Sequence, residues 1–221
     1  MDNLKAFHGE KSIKEKYLKR VKAHYEADEI IKGKYWENGK GCAVGCTIHG
    51  SSHDAYPKKL GISWRLALIE DSIFENLQNG EAKKFPIDFL NAVQIGSDTE
   101  LVYKKFVIWV LGDKKDGLVN VIKDEKAVVF LKRVLELYKK SLKTEIKASE
   151  WKALADEAYS ASAYASAYAY ASVYAYAYAY AYAYAYAYVY AYASGTFDHK
   201  VFDKRILQMR DKLLALLKKA K

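Results

Sequence analysis

Residues 173–192 read VYAYAYAYAYAYAYAYVYAY, and the whole stretch 158–197 carries no charged side chain. As a strand, the repeat would span roughly 66 Å, far beyond the usual strand of about 5–6 residues. It contains no Gly, Pro, Asn or Asp that would divide it into hairpins. Alanine is the best helix former, and tyrosines four positions apart contact each other on a helix. The repeat therefore predicts a helix, with β-structure and disorder as open alternatives.

The residues that flank the repeat favour the same interpretation. Ser149 has the side chain of a helix N-cap, and Glu150 follows where negative charge stabilises a first turn. Gly195 offers a C-terminal stop. A single helix from Ser149 to Ser194 would be ~69 Å long at 1.5 Å per residue. We expect this helix to be broken, or to pack along a partner helix.

The preceding residues show apolar positions at helical spacing, bounded by capping residues. A capping box that begins at Ser12 predicts a first helix over about 13–32, ended by Gly33. Ser63 is the predicted cap of a second helix, and Asn79-Gly80 is its predicted stop.

Further along the chain, Pro86 suits the first turn of a short helix through Val93. Ser97 begins a second capping box, Leu118 to Ile122 is a candidate short strand, and Asp124 is the predicted cap of another helix. With no convincing set of strands, six or seven helices predict a compact all-α fold.

The last predicted helix is amphipathic and basic. It starts near Asp198, and its inner stripe consists of Phe202, Ile206, Met209, Leu213 and Leu217. We expect it to fold back along the Ala/Tyr helix. The predicted organisation is a helical segment 1–148 with a Gly/Cys-rich loop at 36–53, and a segment 149–221 that belongs to the same folding unit.

The charge of the chain suggests its partners. The net charge is +9, of which residues 198–221 contribute +5. A moderately basic protein binds phosphate-bearing ligands, nucleic acid or anionic lipid, although basic residues also serve solubility alone.

Cysteine usage and hydropathy indicate the compartment. The two cysteines, Cys42 and Cys46, do not form a disulfide framework, which favours a reducing compartment. The lysine-rich start of the chain does not resemble a signal peptide, and tyrosine prefers the membrane interface to its centre. A cytoplasmic protein without a transmembrane segment is the expectation.

Both cysteines and two histidines lie between Asn38 and His53, and they support two chemical hypotheses. Cys42, Cys46, His49 and His53 form a ligand set suited to zinc, although their spacing is poor for one tetrahedral ion. Alternatively, Cys46 is a nucleophile and His53 or His49 its base, oriented by Glu70 or Asp71. The primary prediction includes no metal and no cofactor.

The same loop supports a third hypothesis, a phosphate cradle. Lys40 offers charge, and Gly41, Gly45 and Thr47 offer backbone N–H groups and a hydroxyl, but their order does not match a P-loop. Tight packing between helices is the alternative that needs no ligand. His8 and His24 are further candidate ligand-binding residues, and His24 borders the apolar face of the first helix.

Dense tyrosine also provides amphipathic contact area. The Tyr-rich face is a candidate surface for a protein partner or for oligomerisation. Base stacking is a weaker hypothesis, because the repeat has no charge to bind phosphates. Expansion of an Ala-rich helix by slippage would need no function.

The stretch YWENGKGCAVGCT at 35–47, with His53, Tyr56 and Leu60-Gly61-Ile62 behind it, resembles a family of bacterial and phage proteins that has no assigned activity. The resemblance extends to Phe7-His8-Gly9, to the Ala-rich segment after Trp151 and to the closing amphipathic helix. It implies a helical Ala-rich segment and no particular chemistry. Family members mix Asp, Arg or Lys into the Ala-rich stretch, whereas this chain carries no charged residue from 158 to 197.

Together these patterns predict a non-catalytic protein that binds an anionic ligand, either a phosphate-bearing small molecule or nucleic acid, or a protein partner. The alternatives are an enzyme centred on Cys46 and a small structural zinc site.

Overall fold

A computed structural model describes residues 4–162 and 197–221 of the chain. These residues are mostly helical, with one small two-stranded hairpin, which confirms the predicted all-α class. The elements are a 3-10 turn Ala6–Gly9, α1 Lys11–Glu26, β1 Trp36–Glu37, β2 Lys40–Gly41, α2 Ala43–Ile48, α3 Ala55–Leu60, α4 Trp64–Asn76, α5 Asn79–Ala92, α6 Thr99–Gly112, α7 Leu118–Val121, α8 Glu125–Ser141, α9 Ala148–Ser162 and α10 His199–Lys218.

The chain divides into two compact units. The first unit combines Met1–Tyr103 with Ile206–Lys221, and the second is Lys104–Arg205. The first unit is therefore discontinuous in sequence. The predicted segments 1–148 and 149–221 stay a prediction, since the Ala/Tyr repeat at the centre of the second segment falls outside the described residues.

The short helix α2 lies at the centre of the first unit. It packs against α1, α3, α4 and α5, and all six of its residues are buried. Large aromatic side chains fill the surrounding core, including Phe7, Tyr56, Phe74, Phe85 and Phe89. Because α2 is fully enclosed, the residues at its two ends are held in fixed positions relative to α1 and α4.

Two predicted helix caps and one predicted helix start are confirmed. Ser63 caps α4, with its hydroxyl oxygen accepting from the Arg65 N–H at 3.3 Å. Asp124 caps α8 by accepting from the Ala127 N–H at 2.9 Å. Asp198 accepts from the Lys200 N–H at 2.8 Å, where α10 begins. All five residues of the predicted inner stripe of α10 are buried.

Two predicted helix ends are wrong. Ser12 does not cap α1, because its hydroxyl donates to the Glu10 side chain at 3.3 Å and the helix already begins at Lys11. The same helix ends at Glu26, well before Gly33, since Asp28 takes a positive φ of 55° that α-helix does not allow.

The Asn79-Gly80 pair starts a helix and does not stop one. Helix α4 ends at Asn76, where Leu77 becomes extended, and α5 begins at Asn79. Pro86 consequently lies inside α5 and not in a first turn.

Two further local predictions are corrected. Asp98, and not Ser97, caps α6 by accepting from the Leu101 N–H at 3.0 Å, while the Ser97 hydroxyl donates to the Gln94 carbonyl. The predicted strand from Leu118 is the helix α7, whose first turn closes through the Asn120 N–H donating to the Gly117 carbonyl at 2.9 Å.

The helix predicted to begin near Ser149 is present as α9, from Ala148 to Ser162. Its predicted continuation through the Ala/Tyr repeat, the stop at Gly195 and the packing along α10 lie outside the described residues. Within 4–162 and 197–221, none of the helices combines the length and apolar character required to cross a bilayer.

Candidate functional site

A tight hairpin precedes α2 and sets the position of its first residue. Asn38 and Gly39 take φ values of 51° and 83°, the two positive values that a type I′ turn requires. Trp36 lies opposite Gly41 in this hairpin. The Gly41 N–H donates to the Glu29 carbonyl at 3.1 Å, and the Ile31 N–H donates to the Gly41 carbonyl at 2.8 Å. The residues after α1 are thereby tied to the start of α2.

The glycines of the predicted phosphate cradle serve close backbone packing. A Cβ atom on Gly41 or Gly45 would overlap the carbonyl oxygen of Tyr35. The Gly45 N–H donates to Cys42 Sγ at 3.5 Å, and the buried Thr47 hydroxyl donates to the Ala43 carbonyl at 2.8 Å. Lys40 is exposed on the hairpin. These donors already have protein partners, which gives the cradle hypothesis no support.

Both cysteines are buried free thiols. Burial raises the pKa of Cys46 to about 12, and its thiol donates to the Gly41 carbonyl at 3.3 Å. Cys42 is the N-cap of α2, and burial, followed by the charge of Asp71, raises its pKa well above the usual range. Both side chains are thus protonated at neutral pH, where a thiolate would be needed for attack. The Cys46 nucleophile hypothesis gains nothing from this environment.

His24 and His49 come together in what we call the histidine cluster, formed by His24, Glu29, Trp36 and His49. Nε2 of His24 lies 2.8 Å from Nε2 of His49, and Nδ1 of His24 lies 2.5 Å from the Glu29 carboxylate. The Trp36 ring stacks on the His49 ring with centroids 4.3 Å apart. The cluster is a continuous chain from carboxylate to imidazole to imidazole.

With both rings neutral, one set of tautomers satisfies these two contacts. With its proton on Nδ1 toward Glu29, His24 accepts at Nε2 from the Nε2–H of His49. His49 Nδ1 is then unprotonated, and it makes no hydrogen bond to any residue of 4–162 or 197–221. His49 itself is exposed, so the cluster meets solvent at this residue.

Basic side chains surround His49. Arg20 donates to the Thr47 carbonyl at 2.9 Å, and Lys59 donates to the Ile48 carbonyl at 2.8 Å, so both cations cap the C-terminal end of α2. The pKa of His49 lies below its usual range, first through partial desolvation of the ring and then through the charges of Arg20, His24 and Lys59. His49 therefore stays neutral in the free protein at neutral pH.

A second group of side chains, all of types that bind metal ions, lies at the opposite end of α2. We call Cys42, Asp71 and Glu75 the thiol–carboxylate cluster, because their ligand atoms all lie within 4.8 Å of one another. His53 Nε2 lies 3.2 Å from Asp71 Oδ2, and the Gly33 N–H donates to both oxygens of Glu75 at 3.0 and 3.1 Å.

A fully buried pair borders this cluster. Tyr56 OH donates to Glu70 Oε2 at 2.8 Å, and neither residue is exposed to solvent. Burial raises the pKa of Glu70 well above its usual range, so the folded state favours its protonated form. Of the two carboxylates predicted to orient a histidine, Asp71 contacts His53, whereas Glu70 contacts Tyr56.

The structure separates the remaining predicted site residues. His53 contacts Asp71 and packs nearly perpendicular to the Tyr35 ring, while the Cys46 thiol donates to a backbone carbonyl, so the predicted catalytic pair shares no hydrogen bond. His8 lies 3.1 Å from the Lys58 carbonyl. The four residues of the predicted zinc set do not converge as a group, although all four are described.

The second unit contains a groove of a different kind. It has a volume of about 560 Å³ and is lined by Lys132, Arg133, Glu136, Leu137, Lys140, Glu150, Ala153 and Leu154. Its lining includes no histidine or cysteine, and Lys140 is paired with Glu150 at 2.8 Å. The groove therefore contains charged side chains but no imidazole or thiol group of the kind found around α2.

Comparison of the chain with protein-family models, with curated proteins and with solved structures found no match. The resemblance of the Cys/Gly stretch to a bacterial and phage family stays a prediction. Function is therefore inferred from the geometry around α2.

Proposed function

We propose that this protein binds an anionic ligand at the exposed edge of the histidine cluster. Arg20 and Lys59 donate to the last carbonyls of α2 next to His49, and this pair of cations beside one exposed ring is the observation that supports the proposal. Arg20 and Lys59 each use one donor on α2, which leaves further N–H groups for a ligand. Phosphate, sulfate and carboxylate groups all match this donor set.

Proton uptake should accompany binding. In the free protein, partial desolvation of the ring and then the neighbouring cations hold the pKa of His49 below its usual value. A bound anion opposes those cations, so it raises the pKa of His49. Affinity should consequently increase as pH falls from the raised pKa of His49 in the complex toward its lower pKa in the free protein, and it should reach a plateau below the latter.

Calorimetric titration with sulfate tests this proposal, because sulfate itself does not titrate near neutral pH. We expect Lys59→Gln to weaken binding about tenfold, the effect of losing one charge-assisted contact. Lys58→Gln removes the same charge from the adjacent exposed residue and should leave affinity nearly unchanged. His49→Asn should remove the pH dependence, because the asparagine side chain does not titrate. Asparagine also tolerates the positive φ of 50° at this position, so the backbone should be kept.

Three results would contradict the proposal. They are an absence of sulfate binding at low salt, equal losses in Lys58→Gln and Lys59→Gln, or a pH dependence that survives in His49→Asn. Lys132→Gln in the groove of the second unit serves as a further control for general charge effects.

Acid–base chemistry on the bound ligand is a second candidate, favoured by the chain from Glu29 through His24 to the free Nδ1 of His49. A carboxylate that fixes one imidazole, which in turn bonds the next, makes His49 Nδ1 a suitable general base. Hydrolysis of p-nitrophenyl phosphate or acetate should then depend on Glu29 and His49. Glu29→Gln should lower the rate about 10²–10⁴-fold if general base catalysis operates, whereas the exposed Glu26→Gln should not. A rate that is equal in His49→Asn and the unmodified chain would refute catalysis by this cluster.

A further inference from the structure

We infer that Cys42, Asp71 and Glu75 form a binding site for a zinc-type divalent metal ion. The three ligand atoms lie within 4.8 Å of one another, and each is offered by a side chain held in place by secondary structure. The site is separate from the histidine cluster, so it does not depend on the proposed anion binding.

Two elements position the ligands. Asp71 and Glu75 are four residues apart on α4, so both carboxylates project from the same face of that helix. Cys42 is the N-cap of α2, and its backbone is fixed by the Cys42 N–H donating to the Lys34 carbonyl at 2.7 Å. The contact between α2 and α4 then brings the thiol to the two carboxylates.

An unpartnered buried oxygen of Asp71 points to a missing ligand. Asp71 uses Oδ2 to contact His53, whereas Asp71 Oδ1 is buried without a hydrogen-bond partner in the part of the chain that the structure describes. A buried polar oxygen without a partner is costly, and a metal ion at Asp71 Oδ1 would remove that cost for this atom.

The donor set selects the metal. A thiolate with two carboxylate oxygens suits zinc and its neighbours, whereas magnesium and calcium prefer oxygen alone. Ligand atoms around a tetrahedral zinc ion lie roughly 3.3–3.8 Å apart, so a small contraction of the cluster is sufficient. A water molecule would supply the fourth ligand. The thiol releases one proton as the sulfur–metal bond forms.

This ligand set differs from the one that the sequence suggested. It shares Cys42 with the predicted set but replaces Cys46 and His49 by two carboxylates from α4. Cys46 instead bonds the Gly41 carbonyl, and His49 bonds His24.

Titration of the metal-free full-length chain with Co²⁺ tests the inference, because a cobalt–thiolate bond gives a charge-transfer absorption band in the near ultraviolet. We expect one equivalent of Co²⁺ to produce this band and Zn²⁺ to displace it. Cys42→Ser should abolish the band, and Glu75→Gln should weaken affinity at least about tenfold. Cys46→Ser is the matched control, since it removes the other buried thiol and should keep both the band and the affinity.

Folding is checked separately by circular dichroism and by the unfolding midpoint. Serine is a favourable N-cap, so Cys42→Ser should retain its helix content. Zn²⁺ should raise the midpoint of the unmodified chain and of Cys46→Ser, but not that of Glu75→Gln. Failure of one equivalent of Co²⁺ to give the band in the unmodified chain, or survival of the band in Cys42→Ser, would overturn the inference. Cobalt bound by His24 and His49 would lack the sulfur band, so that outcome also counts against it.

Discussion

Gly41 and Gly45 determine the geometry of the candidate site, because neither residue has a side chain. The carbonyl group of Tyr35 occupies the space that a Cβ on either glycine would need. This contact presses the hairpin against α2 and thereby fixes Cys42 between them. The two glycines that the sequence suggested as part of a phosphate cradle are thus required for close backbone packing.

We expect Gly45→Ala to destabilise the first unit by about 1–3 kcal/mol or more, because the added methyl group must displace the backbone of Tyr35. Gly80→Ala is the matched control: Gly80 lies in α5, where an added Cβ meets no atom within 4 Å, and alanine there should be neutral or stabilising. Urea unfolding of the two variants measures the difference. An equal free energy of unfolding in both would show that the Tyr35 contact does not constrain this position.

Individual capping residues were predictable, whereas the partners within the candidate site were not. Ser63 and Asp124 cap helices through hydrogen bonds to residues two or three positions away, so their role is visible locally. His24 and His49 meet through the fold of α1, the hairpin and α2, which no spacing rule encodes. No sequence pattern indicated Glu75 as a site residue, because its carboxylate comes close to the Cys42 thiol only after α4 packs on α2.

At the scale of elements, α2 depends on its neighbours. A six-residue helix is unstable in isolation, since its few hydrogen bonds do not offset the cost of nucleation. Arg20 from α1 and Lys59 from α3 donate to its last carbonyls, and Cys42 caps its start. The cations that attract an anion to His49 are therefore the same groups that hold α2 together. Ligand binding and stability of α2 should be coupled.

The hydrophobic pattern predicted the wrong secondary structure at α7. Leu118 to Ile122 is apolar and short, and such a run fits a strand or a helical turn equally well. The Asp113 carboxylate decides for the helix, because it accepts from the N–H groups of Lys115 and Asp116 and turns the chain into α7. The all-α class was predictable because α1, α4, α8 and α10 are long and strongly patterned.

At the scale of the whole molecule, the first unit needs residues from two distant parts of the chain. Arg210 on α10 pairs with Glu81 at 2.6 Å, and the Asp98 N–H donates to the Lys221 carbonyl at 3.0 Å. The apolar residues of α10 within this unit are fully buried or nearly so: Ile206, Met209, Leu213 and Leu217. The unit is therefore incomplete without 206–221.

A chain truncated after Arg205 should fail to fold its first unit. Burial of the four apolar side chains contributes about 1.5–3 kcal/mol each, or roughly 6–12 kcal/mol together, which is comparable to the total stability of about 5–15 kcal/mol of a typical domain. Loss of dispersed amide resonances for residues 4–103 would report the failure. Removal of only 219–221 is the control and should have a small effect. Retention of native resonances after the longer truncation would contradict this expectation.

The discontinuity of the first unit has a consequence during synthesis. A ribosome that has just made Tyr103 must still translate residues 104–205 before Ile206 appears, a delay of about 5–20 s at roughly 5–20 residues per second. Throughout that interval the nascent first unit lacks the helix that covers part of its apolar surface. It is thus exposed to aggregation and to capture by chaperones until translation delivers α10.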